Sequence, residues 1–528
     1  MRTLNSSCQT NSWSWDTKDY HETANLYQLI SDSSRRYGQA PYLIPVEENL
    51  QALSFTDLHQ FTLEMHHYLA SQNILHQQRV AVIYPNSTLM ALLYLTIIGS
   101  GRVLIPINPK SGHGEIEYIL DKTAPDLLIC SEITHTKVPE SFPGTVEIVK
   151  DQAAFISDLM DGGHSGKNLC FEDKPPIVAE IVFTSGTTGN PKGVVLTHKN
   201  ILADSFAIGK MFDFYEGMNF LTTTPMFHNS GQIPTTTVPL WCGGSTTPIR
   251  PELGLIKLDH FVHKYQINWS FVTPSFLAFL MTAKKTADIS TLEGLFVGGA
   301  KLSPALMEQF ETKFNIPLYE AYGLTETTSF ATCVRKDTTQ RVLDSAGIPL
   351  FINEIRIDSS VGQSLGDQEL GEILIKGDNV FREYLDQPEL TEEKIRDGWF
   401  FSGDLGYLKG KDLFVLDRKD NMILVGGENV YPAEVERHVP LLEGIVDGVL
   451  TSRPHQILGN ELVLVYEIEE GLDANTALWK KTLANHISNF KIPGIFIDAN
   501  TLETQGIPRA SNGKILKKIL YDMVNHNI

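Results

Sequence analysis

Four short segments hold the residues best equipped for chemistry. The first is Ile181-Val-Phe-Thr-Ser-Gly-Thr-Thr-Gly-Asn-Pro-Lys-Gly193, where an apolar strand runs into a turn of glycines and hydroxyls. Backbone amides in such a turn converge on an anion. Gly186 and Gly189 let the chain curl, and the hydroxyls of Thr184, Ser185, Thr187 and Thr188 add donors. Lys192 then supplies a point charge suited to a polyphosphate. The Walker A pattern needs Gly-Lys-Ser/Thr; Pro191-Lys192-Gly193 reverses that order, so this is not a P-loop. Composition alone would allow a plain Ser/Thr-rich surface loop, and the order of residues sets the segment apart.

The second segment is Tyr319-Glu-Ala-Tyr-Gly-Leu-Thr-Glu326, after a short expected strand at Pro317–Tyr319. Gly323 permits a tight turn, and Thr325 and Glu326 offer an oxygen pair suited to a hard cation. The third is Ser402-Gly-Asp404, with a short carboxylate that can accept from both hydroxyls of a vicinal diol; the simpler alternative is an Asx-turn. Asp417-Arg418 follows, and an arginine by itself is more often a surface group. The fourth is Gly513-Lys-Ile-Leu-Lys-Lys518, whose lysines could equally form a solvated helix face.

These segments need a scaffold, and the pattern around them is mixed α/β. Runs at Val80–Tyr84, Val103–Ile107, Asp126–Cys130 and Ile181–Thr184 predict buried strands. They alternate with expected helices at Leu26–Tyr37, Thr56–Gln72, Thr88–Ile98 and Gly114–Lys122, then Asn200–Met211, Leu258–Gln266, Thr273–Ala283 and Pro304–Phe314. The alternation favours βαβ units and parallel sheets. After Ile348 the texture becomes β-rich, with strands expected at Asn353–Asp358, Leu370–Lys376 and Leu413–Asp417. From Asn421 a compact α/β module follows, with a helix expected at Thr476–Phe490. The expected fold class is therefore α/β. A tail (1–24) precedes a large domain of parallel-sheet subdomains plus a small β-rich one (25–419), and a small mobile α/β domain (420–528) closes the chain.

Composition narrows the partners. The 528 residues carry 43 Lys+Arg against 63 Asp+Glu, a net −20, which argues against a nucleic-acid face. Forty-two per cent apolar residues can fill large cores. Cys8, Cys130, Cys170, Cys242 and Cys333 are scattered and form no CxxC pair, so neither a disulfide framework nor a zinc site is expected. The apolar run Leu89–Ile98 falls short of the ~20 residues of a spanning helix. A cytoplasmic protein without a transmembrane segment is the resulting expectation.

Taken in order, the motifs resemble those of the adenylate-forming superfamily: acyl- and aryl-CoA synthetases, nonribosomal adenylation domains and beetle luciferase. The resemblance extends from about Asn25 to Lys518 and includes Gly426-Gly-Glu-Asn-Val-Tyr-Pro432 and Pro508-Arg-Ala-Ser-Asn-Gly-Lys514. It implies ATP and Mg²⁺ as partners. Thr184–Gly189 and Lys192 would hold phosphates, Gly299, Ala300, Tyr322 and Gly323 would line adenine, and Thr325 would meet the α-phosphate. Glu326 would hold the metal, Asp404 the ribose, and Arg418 the ribose or a phosphate. Lys514 would reach the reacting carboxylate, where a mobile cation offsets repulsion from the triphosphate. Asp420 would be the hinge. The family commonly has a second acidic residue next, and here Asn421 stands instead.

The resemblance also implies a carboxylic acid substrate. His228, in Pro225-Met-Phe-His-Asn-Ser-Gly231, would be the gate beside its carboxylate. Asn229, Thr273, Gly298 and Gly299 would line its pocket, the small glycines leaving room at the floor. The absence of an Asp near His228 disfavours α-amino acids. Gly426 and Gly427 would flank a pantetheine tunnel, because glycine lets a slender chain approach. Both CoA and the phosphopantetheine of a separate acyl carrier protein would fit it. The resulting expectation is an acid–thiol ligase that forms an acyl-adenylate and passes the acyl group to CoA, the alternative being a stand-alone enzyme loading a carrier protein. A luciferase-like oxygenase and a catalytically silent scaffold are the rivals from other classes. A silent scaffold would be expected to have lost Lys192, Glu326, Asp404 or Lys514, and all four are present.

Overall fold

The computed structural model describes residues 15–161, 177–184, 191–282, 288–359, 362–469, 471–509 and 515–526. Two large sheets dominate. In the first, Val103–Pro106, Arg79–Ile83, Leu127–Ser131 and Thr145–Val149 run parallel, and Val178–Thr184 joins them parallel to Val103–Pro106. Lys192–Thr197 then turns back antiparallel. In the second sheet, Leu318–Tyr322, Gly294–Val297, Trp269–Val272, Asn219–Thr222 and Ser245–Pro248 are successive parallel neighbours. Short β-branched and apolar runs separated by helices give this layering, as the alternation in the sequence implied.

The helix Thr88–Gly99 is buried on every face. Its run of Leu, Ile and Met has no polar stripe, so it fits only inside the core. His198–Phe212 is nearly as buried, and its N-cap Thr197 and Asn200 form a reciprocal capping box. Leu26–Tyr37 and Pro304–Phe314 have the bounds expected from sequence. In one cluster Phe212 meets Phe296 and Tyr319 edge to face, the first at 4.8 Å and 88°, while Trp269 meets Phe214 edge to face and stacks on Tyr319.

A five-stranded antiparallel sheet follows, with long strands at Trp399–Lys409 and Asp412–Arg418. Past it lies a hairpin, Ile423–Val425 with Glu428–Val430, and a three-stranded sheet with its own core around Val430, Leu464 and Trp479. The helix expected to reach Phe490 stops at Ala484, where the chain enters Asn-His-Ile-Ser-Asn, a run of weak helix formers. The segment expected as a tail packs on the large body over its described part. Trp15 meets Trp241 edge to face at 4.9 Å and donates its indole N–H to the Tyr37 hydroxyl at 2.9 Å. Tyr20 stacks on Phe206.

Candidate active site

Functional segments leave the second sheet at one edge. Thr223–His228, Thr273, Gly298–Ala300 and Gly323–Glu326 each follow the C-terminal end of one of four neighbouring parallel strands. Parallel sheets place binding loops at this edge, because the strands end together there. Thr184 and Lys192 belong to the first sheet. Thr184 and Lys192 face each other as the last pair of its two-stranded arm. Ser185, Gly186, Thr187, Thr188 and Gly189 lie outside the described residues, as does Lys514.

Lys192 sends its ammonium toward the Tyr384 ring, 5.8 Å from the centroid. The Tyr384 hydroxyl donates to Glu326 Oε1 at 2.8 Å, and the Glu326 carbonyl accepts from the Phe381 amide at 2.8 Å. Burial, reinforced by the Glu326 charge, holds the Tyr384 hydroxyl well above its ordinary value, so it stays a donor. Gly323 is obligatory for this turn: a Cβ there would lie 1.7 Å from the Ser329 carbonyl oxygen.

Asp404 is the centre of a second cluster. Its Oδ2 accepts from the Tyr322 hydroxyl at 2.7 Å, and its Oδ1 pairs with Arg418 Nη1 at 3.0 Å. Ser402 Oγ accepts from the Asp404 amide at 3.0 Å. Burial pushes the carboxyl of Asp404 up, while the Arg418 guanidinium and the Tyr322 hydroxyl pull it back. Arg418 acts electrostatically on Tyr384 as well, and Glu326 acts on both Arg418 and Asp404. Lys192 from the first sheet, Glu326 from the second, and Asp404 with Arg418 from the third thus face one space. The arrangement offers cations, a carboxylate for a hard metal and a carboxylate for a diol, all within a few residues' reach.

The residues expected to line the acid pocket fall along the same edge. Thr273 accepts from the Phe276 amide through Oγ1 at 3.3 Å, and its methyl is 4.0 Å from where a Gly299 Cβ would stand. Gly299 and Ala300 are exposed. Gly298 corrects the expectation of open space. A Cβ there would be 2.9 Å from both the Ala321 carbonyl and the Phe271 ring, so its missing side chain serves packing, and the Phe271 ring fills that part of the floor. His228 caps a short helix, Asn229–Gln232, and its ring packs on Phe227 at 4.4 Å. Asn229 is buried and points backward, its Nδ2 donating to Glu180 Oε1 at 2.9 Å and to Gln232 Oε1 at 3.0 Å.

Sequence reasoning passed over Glu180, Gln232 and Tyr384. Glu180 did leave a signal, being the one charge in the otherwise buried apolar strand Val-Ala-Glu-Ile-Val-Phe-Thr184. Tyr384 left none, since its role depends on a strand that pairs with Val194 from far along the chain.

At the expected hinge, Asp420 lies in a single 3₁₀ turn, Lys419–Asn421. Asn421 donates to Asp417 Oδ1 at 2.8 Å, and Asp417 Oδ2 accepts from the Ala433 amide at 2.8 Å. An acidic residue at 421 has no proton to donate at neutral pH, so the departure from the family pattern has a local use. Gly426 and Gly427 form the two-residue turn of the hairpin, with φ of 58° and 89°. A turn with both central residues at positive φ calls for glycine in its own right.

A family model described as AMP-binding enzyme matches residues 30–385. The chain belongs to this family of AMP-binding enzymes. The AMP-binding enzyme is 27% identical over 497 residues to a feruloyl-CoA synthase of Amycolatopsis sp, covering 92% of this chain and 96% of the relative. It is 26% identical over 496 residues to a 2-succinylbenzoate–CoA ligase of Geobacillus sp. (strain WCH70), again with 92% and 96% covered. Its fold matches ATP-bound MatB from Rhodopseudomonas palustris with a TM-score of 0.86, at 24% identity over 95% of this chain and 98% of that one. This AMP-binding enzyme is an AMP-forming acid–thiol ligase of the acyl- and aryl-CoA synthetase group. Among the described residues no helix is long and apolar enough to cross a membrane.

Proposed function

We propose that the enzyme activates an aryl or medium-chain acyl acid as its adenylate and delivers the acyl group to CoA. In the first step a carboxylate oxygen attacks the α-phosphorus of ATP; that O–P bond forms as the bond to the pyrophosphate oxygen breaks. In the second, the CoA thiolate attacks the acyl carbon and AMP departs with the carboxylate oxygen. Adenylation is needed because oxide is a very poor leaving group, whereas AMP is a good one.

The residues take the following parts. Thr184, the loop after it and Lys192 hold the β- and γ-phosphates, and Thr325 meets the α-phosphate. Tyr322 lies against adenine, with Gly299 and Ala300 beside it. Asp404 accepts from the ribose hydroxyls and Arg418 steadies it. His228 gates the carboxylate, and Lys514 approaches from the C-terminal part to offset repulsion between the acid and the phosphates. Rotation about Asp420 then exchanges Lys514 for the face of Gly426–Pro432, along which the pantetheine arm enters. The mobile part on this reading is 420–528.

Magnesium fits Glu326. No group of three or more His, Cys, Asp or Glu among the described residues could hold a metal unaided. A cation held by one carboxylate and substrate phosphates is the usual manner of Mg²⁺. Bound there it would neutralise charge on the phosphates.

The observation that carries this reading is the convergence of Lys192, Glu326, Asp404 and Arg418 from three separate sheets on one space. Two relatives named for ferulate and succinylbenzoate support an aryl acid, as does the Phe271 ring at the pocket floor. The test is acid-dependent ATP–pyrophosphate exchange across aryl, fatty and amino acids, followed by mass detection of the acyl-CoA. Exchange with aryl or medium-chain acids is expected. No exchange with any acid would overturn the reading and revive a silent nucleotide-binding protein.

A further inference from the structure

Behind the acid pocket lies a sealed polar cluster that the adenylation chemistry does not use. Glu180 stands in the middle of Val178–Thr184, fully buried, with Leu104 and Leu196 as its strand neighbours. Its Oε1 accepts from Asn229 Nδ2 at 2.9 Å, while its Oε2 has no partner. The same holds on the other side, where both Asn229 Nδ2 protons are used, by Glu180 and Gln232, and Oδ1 has no partner. Gln232 is anchored in turn, its Nε2 donating to the Met226 carbonyl at 2.9 Å. Two buried acceptor oxygens without donors, on side chains already joined by one hydrogen bond, are what a carboxyl–amide pair shows when its proton is left out. A single proton on Glu180 Oε2, donated to Asn229 Oδ1, satisfies both oxygens.

We propose that Glu180 is a positioning residue that sets acid specificity, its protonated carboxyl clasping the Asn229 amide and thereby fixing the His228–Gln232 wall of the acid pocket. This rests on the ligase reading for its functional half. The wall gives Asn229 little choice. Gly231 allows no Cβ, since the Pro225 carbonyl would be 2.6 Å away. Just beyond Gln232 the helix widens into a π-turn, Ile233–Thr237, where Thr237 Oγ1 donates to the Gln232 carbonyl and meets the Tyr94 hydroxyl. The titratable group that feels Glu180 from the packed helix Thr88–Gly99 is Tyr94, whose hydroxyl burial and then the Glu180 charge hold well above its ordinary value. Among the described residues no cation contributes: burial drives the Glu180 carboxyl up to about 8, opposed by the neighbouring amides of Gln232 and Asn229.

Glu180→Gln keeps a donor and an acceptor of the same shape; Glu180→Leu removes both. In acid-dependent pyrophosphate exchange, Glu180→Leu is expected to raise KM for the acid roughly ten-fold or more, with KM for ATP within about two-fold, because the Asn229 amide keeps only its bond to Gln232. Glu180→Gln should keep KM for the acid within about three-fold at pH 7. In the wild type, kcat/KM for the acid should fall as pH rises through about 8, and this alkaline limb should vanish in Glu180→Gln. A Gln variant as impaired as the Leu variant, or an alkaline limb that survives in it, would overturn the proposal. Two readouts need no substrate. A protonated-carboxyl C=O stretch should be present in the wild type at pH 7 and absent from Glu180→Gln. The folded protein holds this proton where the unfolded chain has lost it, so the wild-type melting temperature should drop relative to Glu180→Gln as pH rises from about 4.5 to about 8. Absence of the band, or parallel melting curves, would sink the Glu180 proposal. Failure of every acid in exchange would instead sink the ligase reading.

Discussion

At the end of the site that we assign to the nucleotide, Asp404 receives the Tyr322 hydroxyl and the Arg418 guanidinium, and Glu326 receives the Tyr384 hydroxyl. At the end that we propose for the acid, Glu180 receives one amide N–H and is closed off from water. The first carboxylates are steadied by donors from other strands, and Arg418 remains partly exposed, as suits groups that exchange partners with an incoming ligand. The second is paired inward, as suits a wall that must hold its shape while acids come and go. A buried carboxyl without a cation stays neutral, whereas one beside a guanidinium keeps its charge. The same side-chain type therefore does electrostatic work at one end and positional work at the other.

Substitutions can break that contrast at its charged end. The largest expected effect is Lys514→Ala, which should lower acyl-adenylate formation by about 100-fold or more, as for the loss of one transition-state donor. Thioester formation from supplied acyl-adenylate should hardly change, and separate assays of the two half-reactions check this. Equal loss in both would remove the exchange of C-terminal faces. Next is Asp404→Asn, which leaves Arg418 without its counter-charge and should cost about 2 kcal/mol, roughly thirty-fold in kcat/KM for ATP. A change in KM for the acid alone would place Asp404 in the wrong pocket.

Two smaller effects sharpen the contrast. Tyr384→Phe removes only the hydroxyl on Glu326, so about 1 kcal/mol, or roughly five-fold, should appear in kcat/KM for ATP at limiting magnesium and shrink at saturating magnesium. Asn421→Asp deletes the donor to Asp417 and puts a carboxylate in its place. It should slow thioester formation by at most about five-fold while leaving adenylate formation within about two-fold. If adenylation falls instead, the turn at Lys419–Asn421 supports the first half-reaction.

Much of the charged end was legible in the sequence because its residues sit in contiguous motifs. Tyr322 to Glu326, and Asp404 with Arg418 nearby, need only a strand end and a tight turn to come to hand, and Gly323 announces the turn. The buried end was opaque because its partners are 49 residues apart and meet only through sheet and helix packing. Asn229 could be read as a pocket residue, but not that its amide faces backward into the core. The glycines show a related ambiguity. Gly298 looked like space in the pocket and is a packing contact, while Gly426 and Gly427 satisfy a hairpin turn as well as any approach to a ligand. A glycine in a sequence reports that a side chain is forbidden; only packing says what forbids it. Some helical bounds fared better: Pro304–Phe314 has a proline at its start and an asparagine at its end that fix both limits locally, whereas the helix expected at Leu258–Gln266 spans Pro251–Lys264.

The net charge of −20 sits well with this division. A strongly acidic chain that binds a nucleotide must rely on a few local cations, and Lys192 and Arg418 are gathered where the three sheets meet.

The central claim, that the acid's own oxygen is carried to phosphorus and leaves with AMP, can be read from isotopes. An accepted acid labelled with ¹⁸O in both carboxylate oxygens should be turned over with ATP and CoA and the products weighed. One label in AMP and the other in the thioester carbonyl is the predicted outcome. Unlabelled AMP, with the label in pyrophosphate or inorganic phosphate, would contradict the adenylate.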